Sequence, residues 1–226
     1  LLSRACQKGL SDGQRLGINH NPYLPWKERY EGAIDLTAHL GARGAGGHIG
    51  ALSVQDAANV IRRQNLLGEM TERLNTLSGY AAQKGLEFLL FENMAVPREY
   101  GHSIEEAQGL LKSVTGPGVP LILCLDVGHP CALHTGTSSD DYQPWLDHPW
   151  SRPPVLHLQQ TDHTADHHWP FTFAYNKLGI VQAEPIVHAI RRWSEKQDIY
   201  LFLESIPSFE ADDAIVIKEL KESVEY

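Results

Sequence analysis

The feature that most constrains this chain is the stretch Leu121–His129, LILCLDVGH. Leu121 to Leu125 is apolar on both faces, the pattern of a strand buried inside a parallel sheet. The run ends abruptly in a carboxylate, a glycine and an imidazole, so Asp126 and His129 fall at the strand's C-terminal mouth. That is the end at which α/β folds place their chemistry. Three further stretches repeat the grammar: 86–91 ending in Glu92, 154–156 ending in His157, and 199–203 ending in Glu204. Four apolar runs therefore each deliver one oxygen or nitrogen ligand at the same end.

At 226 residues the chain is long enough for one large domain with its own core, and a single domain over 1–226 is the expectation. No apolar run approaches the roughly 18 residues of a membrane span. A net charge of −9 argues against nucleic acid as the main partner, because a protein that grips a phosphate backbone shows a basic stripe. The three cysteines, Cys6, Cys124 and Cys131, lack CxxC spacing, which disfavours a disulfide framework or a thiolate zinc site and fits a reducing, cytoplasmic setting. The twelve histidines are concentrated between His129 and His168.

Taken in order, residues 1–10 read as the tail of a helix and 20–25 as a loop. Trp26 to Leu40 has helical spacing, with Tyr30, Ile34, Thr37 and Ala38 on one face and Gly41 as its stop. Gly44 to Gly50 is a poor strand by propensity, but its place between two helices makes it one. Its glycines lack phosphate-loop spacing and mark a close approach of backbone or ligand. His48 within it is either a wall of the active site or a hydrogen-bonded core histidine. Ser53 opens a long helix to about Lys84, and Ser103 a second to about Val114. A short helix near 144–146, a polar-aromatic segment from Gln159 to Lys177, and helices near 184–196 and 212–224 complete the pattern. A loop as long as 159–177 in a compact domain points to function. Alternating strands and helices, with five strands near 45–49, 87–91, 121–125, 154–158 and 199–203, predict an α/β fold. Closure into a (β/α)8 TIM barrel brings four strand ends around one ion, whereas an open sheet splays them in a row. Up to three strands are then expected upstream of Leu1.

Glu92, Asp126, His157 and Glu204 supply one nitrogen and three carboxylates. That set suits one divalent ion, Mn2+, Mg2+ or Co2+, better than a structural zinc, although Zn2+ is also compatible. Proton movement α to a ketone needs a Lewis acid on the carbonyl and a base on the face of the carbon. Two glutamates on different strands, Glu92 and Glu204, can flank that carbon and pass through a cis-enediolate.

The order of a Glu at one strand end, Asp-x-x-His at the next, His at the next and Glu at the last resembles the xylose isomerase-like TIM barrels. The resemblance runs from about Trp26 to Tyr226 and is most specific at 125–129, 155–162 and 203–204. It implies a sugar epimerase or isomerase of the tagatose 3-epimerase type. The metal ligands would be Glu92, Asp126, His157 and Glu204, Glu92 and Glu204 would be catalytic, and His129 would contact a substrate oxygen. The family's epimerases place a second acidic residue and an arginine near the substrate. Here Arg98 and Glu99 lie in the loop after Glu92, but as Val96-Pro97-Arg98-Glu99, which departs from the usual arrangement, and His163 or a near neighbour stands where the epimerases carry an arginine after His157. Pro97-Arg98-Glu99, residues 159–162 and residues 167–172 look most like the subgroup that epimerises erythrulose phosphate. A phosphate on the substrate would find candidate partners in Arg98, His163, His167 and His168. Trp169 and Phe171 fit either a lid over the site or a contact in a homo-oligomer. An endonuclease IV-like nuclease, a keto-sugar dehydratase on the same metal centre, and a non-catalytic sugar-binding module are the alternatives. The acidic charge weighs against the first, and the presence of both glutamates against the last.

Overall fold

The computed structural model describes residues 26–148, 150, 152–194 and 198–226. The expected helix tail at 1–10 and the loop at 20–25 lie outside them. The elements, in chain order, are α1 (Trp26–His39), β1 (Gly44–Gly47), α2 (Val54–Ala58), α3 (Val60–Gln83), β2 (Phe88–Glu92) and α4 (Ile104–Ser113). There follow β3 (Leu121–Asp126), a 3-10 turn (His129–Ala132), α5 (Tyr142–Asp147), β4 (Val155–Leu158), α6 (Phe173–Asn176), α7 (Ala183–Ser194), β5 (Tyr200–Leu203) and α8 (Asp213–Glu225). The strand order follows chain order, β1-β2-β3-β4-β5. The β1–β2, β3–β4 and β4–β5 pairs are parallel. No helix among the described residues is long and apolar enough to cross a membrane.

By its contacts the chain forms two compact units. The first holds the described residues up to Phe91, together with Arg98–Tyr100 and Gly109–Ile122. Ile34, Leu74, Leu77 and Ala81 are its buried apolar centre. The α1 stripe is as its spacing predicts: Ile34 is buried, Tyr30, Thr37 and Ala38 are half-buried, and Gly41 ends the helix at φ +66. The glycine run does form a strand, and the close approach is by backbone. A Cβ on Gly46 would lie 1.9 Å from the Leu90 carbonyl oxygen, and one on Gly44 would lie 2.1 Å from the Phe88 ring.

The single long helix expected after Ser53 is two helices. Ser53 caps α2, but Asn59 adopts an extended conformation and its side chain accepts the Arg62 N–H, so α3 starts afresh. Asparagine competes with helical backbone in this way wherever its short amide reaches the next turn. Asn75 then ties α3 to the chain beyond α4, donating to the Ser113 carbonyl and accepting from the N–H groups of Thr115 and Gly116.

The second unit holds Glu92–Pro97, Gly101–Gln108 and Leu123–Tyr226. Its interior is built on Leu123, Leu125, Leu156, Cys131, Tyr142 and Trp145, all nearly inaccessible. The segment 159–177 is not slack. Gln160 exchanges both backbone hydrogen bonds with Trp169, and its buried amide accepts from Val181 N–H and donates to the Val181 carbonyl and Asn176. The apolar run of β5 does not have the burial its composition suggests. Tyr200, Leu201 and Phe202 are exposed, because β5 is the end strand of the sheet.

Candidate metal centre

Strand register brings the ligands together within the second unit. Asp126 is the last residue of β3 and pairs in register with His157 of β4, so both side chains rise on the same side. His157 is in turn registered with Phe202 of β5, and the ladder continues through Glu204 N–H to the Leu158 carbonyl. Glu92 closes β2. Ligand atoms of Glu92, Asp126, His157 and Glu204 all lie within 4.8 Å of one another. His157 Nδ1 stands 2.9 Å from Glu92 Oε1 and 2.8 Å from Glu204 Oε2.

One ring nitrogen carries at most one proton, so it cannot satisfy two carboxylates. Glu204 Oε2 is buried and has no hydrogen-bond partner despite that close approach. Burial drives the Asp126 pKa up to about 6, with the Glu92 and Glu204 charges adding to the rise and His129 opposing it. Burial would lower the pKa of His157, but its contacts with Cys124, Glu204 and Glu92 outweigh burial and raise it above the ordinary imidazole value. Glu204 goes the other way: burial raises its pKa, yet the His157 contact leaves it below the usual range. Without a cation, then, Asp126 holds its proton to a higher pH than an ordinary aspartate, because burial and the neighbouring carboxylates disfavour its charge. Three carboxylates and one imidazole nitrogen, with Glu204 Oε2 buried and unpartnered among them, fit a divalent ion.

A second group adjoins the first. His129 Nε2 is 3.4 Å from Asp166 Oδ2, His168 Nε2 is 3.1 Å from the same oxygen, and the three residues also bring ligand atoms within 4.8 Å. Burial favours neutral imidazoles here, but the surrounding carboxylates, Asp126 foremost for His129 and Asp166 for His168, raise both pKa values. Burial opposes the Asp166 charge, yet the two imidazoles pull its carboxyl well below the ordinary value. His129 Nδ1 lies 2.7 Å from the Asn93 carbonyl and His168 Nδ1 3.0 Å from the Glu204 carbonyl, so each ring has its orientation set by backbone. His168 is the one non-glycine at positive φ among the described residues, at 52°.

Of the other sequence candidates, His168 joins this group, while Arg98, Glu99 and His48 belong to the first unit. Arg98 donates to the Leu52 carbonyl, Glu99 forms a backbone bridge to Ala51, and the His48 carbonyl accepts from Tyr30. His163 is exposed on its loop. His167 is 3.0 Å from Asp162 Oδ1 and stacks at 3.9 Å on Trp169, which stacks in turn on Tyr175. Phe171 is buried and stacked on Tyr226. Asn93, Gln159 and Asp166 were not among the candidates, although all three touch the site.

No family model matches the chain. A protein of Brucella abortus (strain 2308) named D-erythrulose 1-phosphate 3-epimerase is 26% identical over 211 residues, covering 90% of this chain and 66% of that protein. The crystal structure of a candidate xylose isomerase from Rhodospirillum rubrum ATCC 11170 matches with a TM-score of 0.78 at 28% identity, over 88% of this chain and 66% of that one. The chain resembles the xylose isomerase-like sugar epimerases. A D-allulose 3-epimerase from Methylomonas sp. shares the fold, with a TM-score of 0.56 at 20% identity over 87% of this chain and 61% of its own. This chain thus spans just under two thirds of the first two of these relatives.

Proposed function

We propose that this chain carries the metal centre and the acid–base pair of a divalent-metal-dependent sugar epimerase, and that its five strands belong to a (β/α)8 barrel. The observation that carries the reading is the convergence of Glu92, Asp126, His157 and Glu204 from consecutive strands on one point. The Brucella relative's name supports a small ketose phosphate of the erythrulose phosphate kind as substrate. A divalent ion bound here would supply the Lewis acidity that acidifies the carbon next to a ketone.

The residues of this chain do the rest. Glu92 and Glu204 arrive on different strands, so one takes the α-proton from one face of the carbon while the other returns it on the opposite face. Glu92 is buried, which shields its carboxylate from water. His129, its Nδ1 tied to the Asn93 carbonyl, presents Nε2 to a substrate oxygen on which charge develops. Asp166 and His168 adjoin His129 and would meet the substrate's remaining polar groups.

The test is deuterium wash-in from D2O with a panel of ketoses and ketose phosphates, followed by NMR of the product. Metal-dependent exchange with formation of the epimer is expected. An aldose product would make the enzyme an isomerase instead, and a dehydrated product a dehydratase. Glu204→Gln should abolish exchange, and full exchange in that variant removes Glu204 from the role of base.

A further inference from the structure

Gln159 is wholly buried directly beyond β4, yet it is neither a ligand nor part of the apolar core. Its Nε2 lies 3.0 Å from Asp126 Oδ1, 3.2 Å from Asp126 Oδ2 and 2.9 Å from Asp166 Oδ1, while its Oε1 accepts the His168 N–H at 2.7 Å. The amide orientation is decided by these partners, since the flipped form would set a carbonyl oxygen against two carboxylates. Two N–H protons serve two carboxylates, one shared across both oxygens of Asp126.

The Asp126 carboxylate is loaded unevenly. Oδ1 accepts from Gly128 N–H at 2.7 Å and His129 N–H at 2.9 Å as well as from Gln159. Oδ2 has the longer share of the amide proton, at 3.2 Å, and faces His129 Nε2 at 3.8 Å. Three donors saturate Oδ1 and leave Oδ2 as the oxygen with lone pairs to give. We propose that Gln159 is a positioning residue of the metal centre, turning Asp126 so that it ligates through Oδ2 alone and locking the Asp166–His168 segment to it. This rests on the metal-dependent reading above.

Gly128 belongs to the same device. Its backbone, at φ −86 and ψ −34, suits any residue, so conformational freedom is not why glycine stands there. A Cβ would instead lie 2.3 Å from Gln159 Cδ and 2.7 Å from its Nε2, displacing the amide from Asp126. Gly128→Ala should therefore harm the centre only by way of Gln159.

The experiment measures Co2+ affinity by calorimetry and the visible Co2+ spectrum for the wild type, Gln159→Leu, Gly128→Ala, Gln159→Ala and the Gly128→Ala/Gln159→Ala pair. Thermal unfolding of the metal-free proteins is followed alongside. Expected is a 10- to 100-fold loss of affinity in Gln159→Leu and Gly128→Ala, the scale of outer-shell partners of metal ligands. A changed spectrum should accompany it, and Gly128→Ala should add nothing in the Gln159→Ala background. Should Gln159→Leu fail to fold, the comparison of Gly128→Ala with the pair still decides. Wild-type affinity and spectrum in the folded Gln159 variants, or an undiminished effect of Gly128→Ala in the Gln159→Ala background, would overturn the proposal. A wild type that takes up no Co2+ would sink the metal reading itself, a distinguishable result.

Discussion

Asn93 makes a sharp prediction because its whole side chain is committed to one neighbour. Fully buried behind Glu92, it accepts the Asp126 N–H at 2.8 Å and donates to the Asp126 carbonyl at 3.0 Å, doing for this strand end what a ladder partner does elsewhere. Asn93→Ala removes both bonds and strands a buried N–H without an acceptor. A buried donor or acceptor left unpaired costs about 1–3 kcal/mol, so the variant should lose about 2–4 kcal/mol. For a chain of this size each kcal/mol is worth about 2–4 °C, so the unfolding midpoint should fall by about 5–15 °C. Urea unfolding with a chelator present measures this separately from metal binding. A loss below about 0.5 kcal/mol, the range of an ordinary surface substitution, would refute the argument that these bonds hold the Asp126 backbone.

Three further outcomes follow from the electrostatics and the packing. Because burial and like charge lift Asp126 to about 6, the fold holds a proton there that the unfolded chain gives up near its ordinary 3.8. That contribution to metal-free stability is complete below 3.8 and is lost as pH rises through about 6, while metal uptake must expel the proton. Divalent-ion affinity should therefore drop as pH falls through about 6, with proton release detected by calorimetry in buffers of different ionisation enthalpy; affinity flat from about pH 5 to 7 would contradict it. In the first unit, Gly46→Ala forces a Cβ onto the Leu90 backbone oxygen, which cannot step aside, and should cost at least about 1–3 kcal/mol in urea unfolding. Gly32→Ala in α1 meets nothing within 4 Å and should instead gain up to about 1 kcal/mol.

How much was legible depended on whether a residue's role leaves a pattern. The run Leu121–Leu125 announces its strand because burial on both faces demands unbroken apolarity, and Asp126 stands out because it ends that run. Gly44–Gly47 goes against propensity and was legible only from its place in the alternation. The break at Asn59 was missed, since a mid-helix asparagine with a following partner looks no different in sequence from one that points to solvent. Asn93 and Gln159 act through amide geometry at no fixed spacing, although each directly follows or nearly follows a ligand at a strand end, which is the signal that could have found them. Asp166 hides among the polar residues of the 159–177 segment, and only the fold separates it from His163 and His167. The exposure of β5 was not legible either, because an apolar run states a preference for burial and not what covers it.

The two cysteines of the second unit give this arrangement a built-in reporter. Cys124 and Cys131 are wholly buried on either side of Asp126, and burial, ahead of every other influence, pushes their thiols up to about 11 and about 12. Alkylating reagents attack the thiolate, so in the closed protein both sulfurs are silent. They become reactive only when β3 or the turn after it opens locally, and the rate of modification at a fixed pH then equals the frequency of that opening weighted by intrinsic thiol reactivity. Cys124 sits on the strand that delivers Asp126, and Cys131 on the turn that delivers His129. Their two labelling rates thus read out, separately, how often the ligand and the adjoining imidazole are released.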